Sequence, residues 1–275
     1  MYDAHWNLQR KPFDAGCEPD FYYPAESHQS ALLKLRYAIE NRQGAAVLVS
    51  ESGLGKTLLT RTLLNQLCET TTPQIELVFP RMPAKDLLAW ICAELTDNMS
   101  IPDTSAERVR QIQQALTANA EVGNHAVWVI DEAHLLSHPA SLETLRLLMN
   151  FQSAGRPDWT IILSGQMPLL GHLERHPALD ERMVVKCQLQ RFTPEETAGY
   201  IAHRLRVAGT ESPIFDDEAI EAIHGYSQGI PRRIHRLCDL GLLLGFAEDL
   251  ASIGEAEVET VARELGWQQT AQTGI

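Results

Sequence analysis

The sequence has no C-x-x-C pair, and its five cysteines (Cys17, Cys68, Cys92, Cys187 and Cys238) are scattered and odd in number. That excludes the spacing of a zinc ribbon or a disulfide framework. It fits reduced thiols in a cytosolic protein, most of them buried as small hydrophobes. Long apolar runs are also missing. The densest late one, residues 240–247, falls far short of the ~20 residues a bilayer span requires. Residues 1–10 lack the apolar centre of a signal peptide. The expectation is a cytoplasmic chain with no membrane crossing of its own. Positive charge is scarce, with 23 Lys and Arg against 36 Asp and Glu and a formal net charge of −13. Such a surface repels polyanions at long range, which disfavours nucleic-acid binding while leaving room for a local basic patch. No internal repeat and no low-complexity segment occurs.

What remains is ordinary globular material: 275 residues, 44% hydrophobic and 21% charged. A chain of this length can bury a sizeable core without disulfides or metal, as one large domain and a smaller partner. Between residues 27 and 190 short apolar runs alternate with helical periodicity. Residues 45–49, 75–79, 126–130, 159–163 and 184–189 read as strands, and 57–67, 84–95, 106–120 and 141–151 as helices. Strands separated by helices imply βαβ units and a parallel sheet. After Arg191 the strand signal stops. Thr193-Pro194-Glu195-Glu196 has the form of a capping box, opening a helix to residue 205. Helices at 216–226, 231–247 and 255–265 follow. The boundary is therefore expected near 191, with an α/β nucleotide-binding core at 1–191 and a small all-helical lid domain at 192–275.

Ser50-Glu51-Ser52-Gly53-Leu54-Gly55-Lys56-Thr57 lies between a buried strand and a helix, the context in which a phosphate-binding loop is informative. Glycines at 53 and 55 let the backbone aim N–H groups at phosphate oxygens, and the helix beginning at Lys56 adds its positive dipole end. Ser52, Gly53, Leu54, Gly55, Lys56, Thr57 and Leu58 are the candidate binding residues. Lys56 is expected on the β- and γ-phosphates of ATP and the Thr57 hydroxyl on Mg²⁺. Ser50 stands where the motif usually has glycine, which a negative φ would accommodate.

Asp131-Glu132 follows the fully apolar strand 126–130. A carboxylate at that strand end suits the Mg²⁺ shell (Asp131), and its neighbour suits polarising the attacking water (Glu132). Asp131-Glu132-Ala133-His134 also spells a helicase box, but such a helicase needs two α/β cores and this chain has room for one. His134 reads as an orienting or packing residue. Gln166, after strand 159–163, is a candidate γ-phosphate sensor. Arg175 and Arg182, with Arg182 preferred, are candidates for an arginine that reaches a neighbouring subunit's γ-phosphate. Arg232 starts a helix in the lid and could sense the nucleotide from there.

These motifs resemble the AAA+ superfamily, and more closely its general secretion pathway A (ExeA/GspA) type. The likeness runs over nearly the whole chain. It begins with Met1-Tyr2, Leu8 and Lys11-Pro12-Phe13, and continues through Asp20-Phe21-Tyr22-Tyr23, Ser27-His28 and Ala31-Leu32. More telling are Leu163-Ser164-Gly165-Gln166, Arg204-Leu205 before Ala208-Gly209, and Gly229-Ile230-Pro231-Arg232-Arg233-Ile234. The resemblance implies a P-loop NTPase core of the AAA+ kind, with Phe13 and residues 22–28 near the adenine, Gln166 as sensor 1 and Arg232 as sensor 2. It further implies a homo-oligomer that hydrolyses ATP for a secretion or envelope-assembly partner and that such a partner could recruit to the inner membrane. Larger members continue into a membrane span and a peptidoglycan-binding part, whereas this sequence ends at Ile275, so the motor portion is what is expected here. The rival expectation is an ATP-dependent DNA-binding regulator of the transposition-ATPase type. Its basic surface would come from Arg204, Arg206, Arg232, Arg233 and Arg236.

Overall fold

The computed structural model describes residues 1–14, 16–96, 101–136 and 138–268. It forms two compact units. The first comprises Glu26–Ser52 and Leu59–Leu189, and the second Met1–Ala25, Gly53–Leu58 and the chain from Gln190 onward.

The first unit is the sheet unit. In chain order it holds α1 (Glu26–Glu40), β1 (Ala45–Val49), most of α2 (Lys56–Asn65), β2 (Gln74–Leu77), α3 (Ala84–Leu95) and α4 (Ser105–Glu121). It continues with β3 (Ala126–Ile130), α5 (Pro139–Leu148), the short antiparallel pair β4 (Gln152–Ser153) and β5 (Arg156–Pro157), and β6 (Trp159–Gly165). Next come α6 (Pro168–Glu174), α7 (Pro177–Asp180) and β7 (Met183–Gln188). Five strands form one parallel sheet in the order β2-β3-β6-β1-β7. Every residue of β1, β3 and β6 is buried, as strands covered on both faces require. Alternate residues such as Val47, Trp128, Ile130, Ile161 and Leu163 share a core with Leu87 and Ile91 of α3, Ile112 of α4 and Leu145 of α5. α1 packs beside β7, where the Cys187 thiol lies 3.9 Å from the Ala31 carbonyl, and burial pushes that thiol up to about 11.

The expected strands and helices are all present, four of them (45–49, 84–95, 126–130 and 231–247) with both ends as expected and the others with ends moved by at most three residues. β6 runs two residues further than its apolar run because Ser164 and Gly165 stay in register with Leu48 and Val49. Helices α6 and α7 and the β4–β5 pair are short and went unread in the sequence; α1 also went unread, although Ala31, Leu32, Leu35, Ala38 and Ile39 recur on one buried face.

The second unit is helical: α8 (Pro194–Val207), α9 (Asp217–Ser227), α10 (Pro231–Ala247) and α11 (Glu255–Glu264). The Thr193 capping box is made in both directions, Glu196 N–H to Thr193 Oγ1 at 3.1 Å and Thr193 N–H to the Glu196 carboxylate at 3.0 Å. Tyr2, Trp6, Leu8 and Phe13 join the core of this unit with Ile201, Phe215, Ile234 and Leu242. Periodicity says nothing about where such a segment packs.

Arg204 corrects one expectation. It is 1% exposed, so it adds nothing to a basic surface. Its guanidinium donates to the Pro12 and Asp14 carbonyls and to the Tyr200 hydroxyl and lies 4.2 Å over the Phe21 ring. Desolvating a guanidinium is costly unless its donors are met, and these contacts meet them. Arg206, Arg232, Arg233 and Arg236 remain exposed.

Two histidines make stability depend on pH. Burial, then nearby Arg42, pushes His125 down to about 4, and its Nε2 lies 2.8 Å from Thr160 Oγ1. Burial, then Arg204 and Arg232, pushes His235 down to about 3; its ring stacks on Tyr200. Above an unfolded value of ~6.5 both are neutral in either state and nothing is lost. As pH falls below that, the unfolded chain takes up protons first, so stability declines until the folded values are reached. Thermal unfolding followed by circular dichroism is expected to show a midpoint falling between pH 6.5 and 4.5, with each histidine contributing on the order of 1–2 kcal/mol. His125→Gln, which can still bond Thr160, is expected to flatten the slope. An unchanged slope would contradict this assignment.

Candidate functional site

In the sheet unit, parallel pairing brings the carboxyl ends of β1, β6 and β3 to one edge. The chain leaves β1 through Ser50, which is fully buried. The Ser50 N–H donates to the Gly165 carbonyl (3.2 Å), and its hydroxyl donates to the Glu51 carbonyl (2.7 Å). Ser50 is not among the residues with positive φ, so serine carries no backbone strain at the position where the motif has glycine.

Asp131 leaves β3 with its N–H on the Leu77 carbonyl (2.8 Å) and only 4% exposed. Its Oδ1 accepts from the Ser164 hydroxyl and from the Glu132 N–H, both at 2.9 Å. Ser164 was read in the sequence only as part of a strand end. Its role as donor to Asp131 follows from the register of β6 beside β3, which no local motif encodes. Glu132 has a left-handed backbone, φ 49° and ψ 33°, and a half-exposed carboxylate 3.3 Å from His134 Nδ1. Gln166 follows β6, and its N–H donates to the same Nδ1 at 3.4 Å. At Gly165 a Cβ would lie 3.0 Å from the His134 backbone nitrogen, so the two backbones approach closely here.

Among the arginines of this unit, Arg182 is half-buried and donates to Asn150 Oδ1 at 2.6 Å. Arg175 is exposed at the C-terminal end of α6.

The helical unit contains residues 53–58 of the glycine loop. Gly53 and Gly55 have φ of 86° and 91°, values that a side chain would disfavour and that main-chain anion-binding turns use. Lys56 opens α2. The start of α10 closes on this loop: the Arg232 N–H donates to the Gly53 carbonyl (3.3 Å). A Cβ on Gly53 would stand 2.9 Å from Arg232 Cβ and 3.3 Å from Ile230 Cγ2. Gly229 permits that approach. Its carbonyl accepts from the Phe192 N–H (2.9 Å), and a Cβ on it would strike the Phe192 carbonyl oxygen at 2.0 Å. Phe13 is buried between Phe215 and His235. The Tyr22 hydroxyl is buried with no hydrogen-bond partner among the described residues, and burial pushes it up to about 12.

Residues 39–173 match the family described as AAA domain. That stretch of the chain is an AAA domain. General secretion pathway protein A of Aeromonas hydrophila is similar to the chain, 33% identical over 286 aligned positions that take in the whole chain. The chain spans about half the length of that curated relative, 51%. Among solved structures, the Aeropyrum pernix ORC2 protein is similar with a TM-score of 0.73 at 16% identity, covering 93% of this chain and 72% of that one. Cdc6p from Pyrobaculum aerophilum gives 0.72 at 15%, covering 92% and 70%. The RuvB motor of Thermotoga maritima gives 0.59 at 20%, covering 87% and 69%. At these identities the structures establish the AAA+ fold, and nothing about the ligand of this chain.

The donor set of this AAA domain fits a nucleotide with a divalent cation. Two left-handed glycines precede a helix N-terminus and a lysine, which suits phosphate oxygens. The Thr57 hydroxyl of the helical unit and the buried Asp131 carboxylate of the sheet unit are each, by chemistry alone, the kind of hard oxygen donor that Mg²⁺ prefers. Gly53→Ala is expected to weaken binding of a fluorescent ATP analogue by roughly 10–100-fold, since a side chain there is strained at positive φ and meets Arg232. Unchanged affinity in a fluorescence titration would remove the loop from the site.

Proposed function

We propose that this chain binds ATP with Mg²⁺ and hydrolyses it, as a homo-oligomer that drives assembly or remodelling of a secretion- or envelope-associated partner. The observation that carries the reading is the conformation of the glycine loop, left-handed at Gly53 and Gly55 and running straight into the helix that Lys56 opens. Main-chain N–H groups in that form are fixed donors, so they bind phosphate without reorganising.

In this reading Lys56 holds the β- and γ-phosphates, and residues 52–58 line them. Thr57 and Asp131 hold Mg²⁺, which when bound offsets charge on the phosphate oxygens. Glu132 takes the proton of a water whose oxygen attacks the γ-phosphorus, and the bond to the β-bridging oxygen breaks to leave ADP and phosphate. Gln166, just after β6, senses the γ-phosphate, and Arg232 senses the nucleotide from the start of α10. Arg182 acts on a neighbouring subunit's nucleotide, and its bond to Asn150 is one it would exchange on assembly. The secretion setting rests on the relative's name. No helix among the described residues is long and apolar enough to cross a membrane; in this reading a partner recruits the chain to the inner membrane. The DNA-regulator reading is weakened by the burial of Arg204 and by the net charge of −13.

Lys56→Ala is expected to lose at least 100-fold in ATP affinity, and Glu132→Gln to keep that affinity while phosphate release falls by about 10²–10⁴. Hydrolysis by Glu132→Gln at the parental rate would show that another group is the base. Sedimentation of Glu132→Gln with ATP is expected to reveal the oligomer.

A further inference from the structure

His134 Nδ1 faces two partners that need opposite things from it. The Glu132 carboxylate, 3.3 Å away, requires a proton on that nitrogen. The Gln166 N–H, 3.4 Å away, requires a lone pair there. One ring nitrogen is a donor or an acceptor and never both, and a neutral imidazole carries its single proton on Nδ1 or on Nε2.

The backbone on both sides is held in place. Glu132 sits in a left-handed conformation with its N–H on Asp131. Gly165, just before Gln166, lies so close to the His134 backbone that a methyl group would crowd it. The His134 side chain is only 14% exposed. The ring therefore has little room to leave, and the choice between its two partners is made by where the proton resides.

We propose that His134 is a positioning residue whose Nδ1 alternates between the Glu132 carboxylate and the Gln166 peptide N–H, tying the base to the turn that follows β6. The proposal rests on the hydrolytic reading above. With the proton on Nδ1, the imidazole anchors Glu132 Oε2 and leaves Oε1 oriented for the water. With the proton on Nε2, Nδ1 accepts from Gln166 and the carboxylate loses its anchor. A shift of the Gln166 turn thus changes the aim of Glu132 with no contact between their side chains.

Two variants and one spectroscopic readout test this. His134→Leu removes both bonds and is expected to lower kcat roughly 10-fold or more, with KM and ATP-analogue affinity unchanged, since misaiming a base costs about that much. His134→Asn, whose amide can donate or accept near the position of Nδ1, is expected to recover kcat to within about threefold. Adding His134→Leu to Glu132→Gln is expected to cost nothing further. Nitrogen-15 spectra of the His134 ring, recorded without nucleotide, are expected to move toward a bare Nδ1 in Glu132→Gln. Parental kcat in His134→Leu, no recovery in His134→Asn, additive losses, or a tautomer indifferent to Glu132→Gln would each overturn the proposal. Absence of turnover in the unsubstituted protein would overturn the hydrolytic reading and this proposal with it. Parental turnover there with an unaltered His134→Leu rate overturns this proposal alone.

Discussion

The hydrogen bond from the Ser164 hydroxyl to the Asp131 carboxylate is the interaction on which the polar edge of the sheet depends. A carboxylate this buried cannot be hydrated by bulk water, so its position is set by protein donors. Ser164 and the Glu132 N–H supply two of them. Both donors exist because β3 and β6 run parallel in a fixed register, Ile130 beside Leu163. The same β6 then accepts the Ser50 N–H through Gly165. Three strand ends are thereby stitched together by contacts made within a single layer of the sheet, and Glu132 inherits its left-handed turn from the bond that Asp131 makes to its N–H.

The helical unit solves a different problem, which is close approach. α10 begins where Gly229 lets the chain pass against the Phe192 backbone, and Pro231 fills a first-turn position whose missing N–H is no loss. That start sets the Arg232 N–H on the Gly53 carbonyl. Behind it, Arg204 ties the N-terminal segment to α8 through backbone carbonyls and aromatic faces, a buried charge answered by dipoles in place of a carboxylate. The guanidinium's several planar donors suit such scattered acceptors better than an ammonium would.

Much of this was legible beforehand. The apolar runs 45–49 and 126–130, the glycine loop, the acid pair and the Thr193 capping box are local patterns with local causes, so composition and spacing reveal them. α6 and α7 were missed because they are only seven and four residues long; α1 has a regular apolar stripe and was legible but went unread. Arg204 was misread as surface because a lone arginine on an amphipathic helix usually is; only the packing of residues 12–14 and of Phe21 around it makes it a core residue. Ser164 and His134 could be named from the sequence as neighbours of interesting positions, and their partners could not.

By itself the sequence determined the identities of the chemical groups, the strand–loop–helix context of residues 50–57 and the change from α/β to helical character near residue 191. All of these depend on neighbours along the chain. The tertiary structure alone decided that Ser164 serves Asp131, that His134 stands between Glu132 and Gln166, and that Arg232 meets Gly53. Apart from His134 with Glu132, those pairings join residues 32 to 179 positions apart. Their distances follow from strand order and backbone approach, which no one-dimensional periodicity contains.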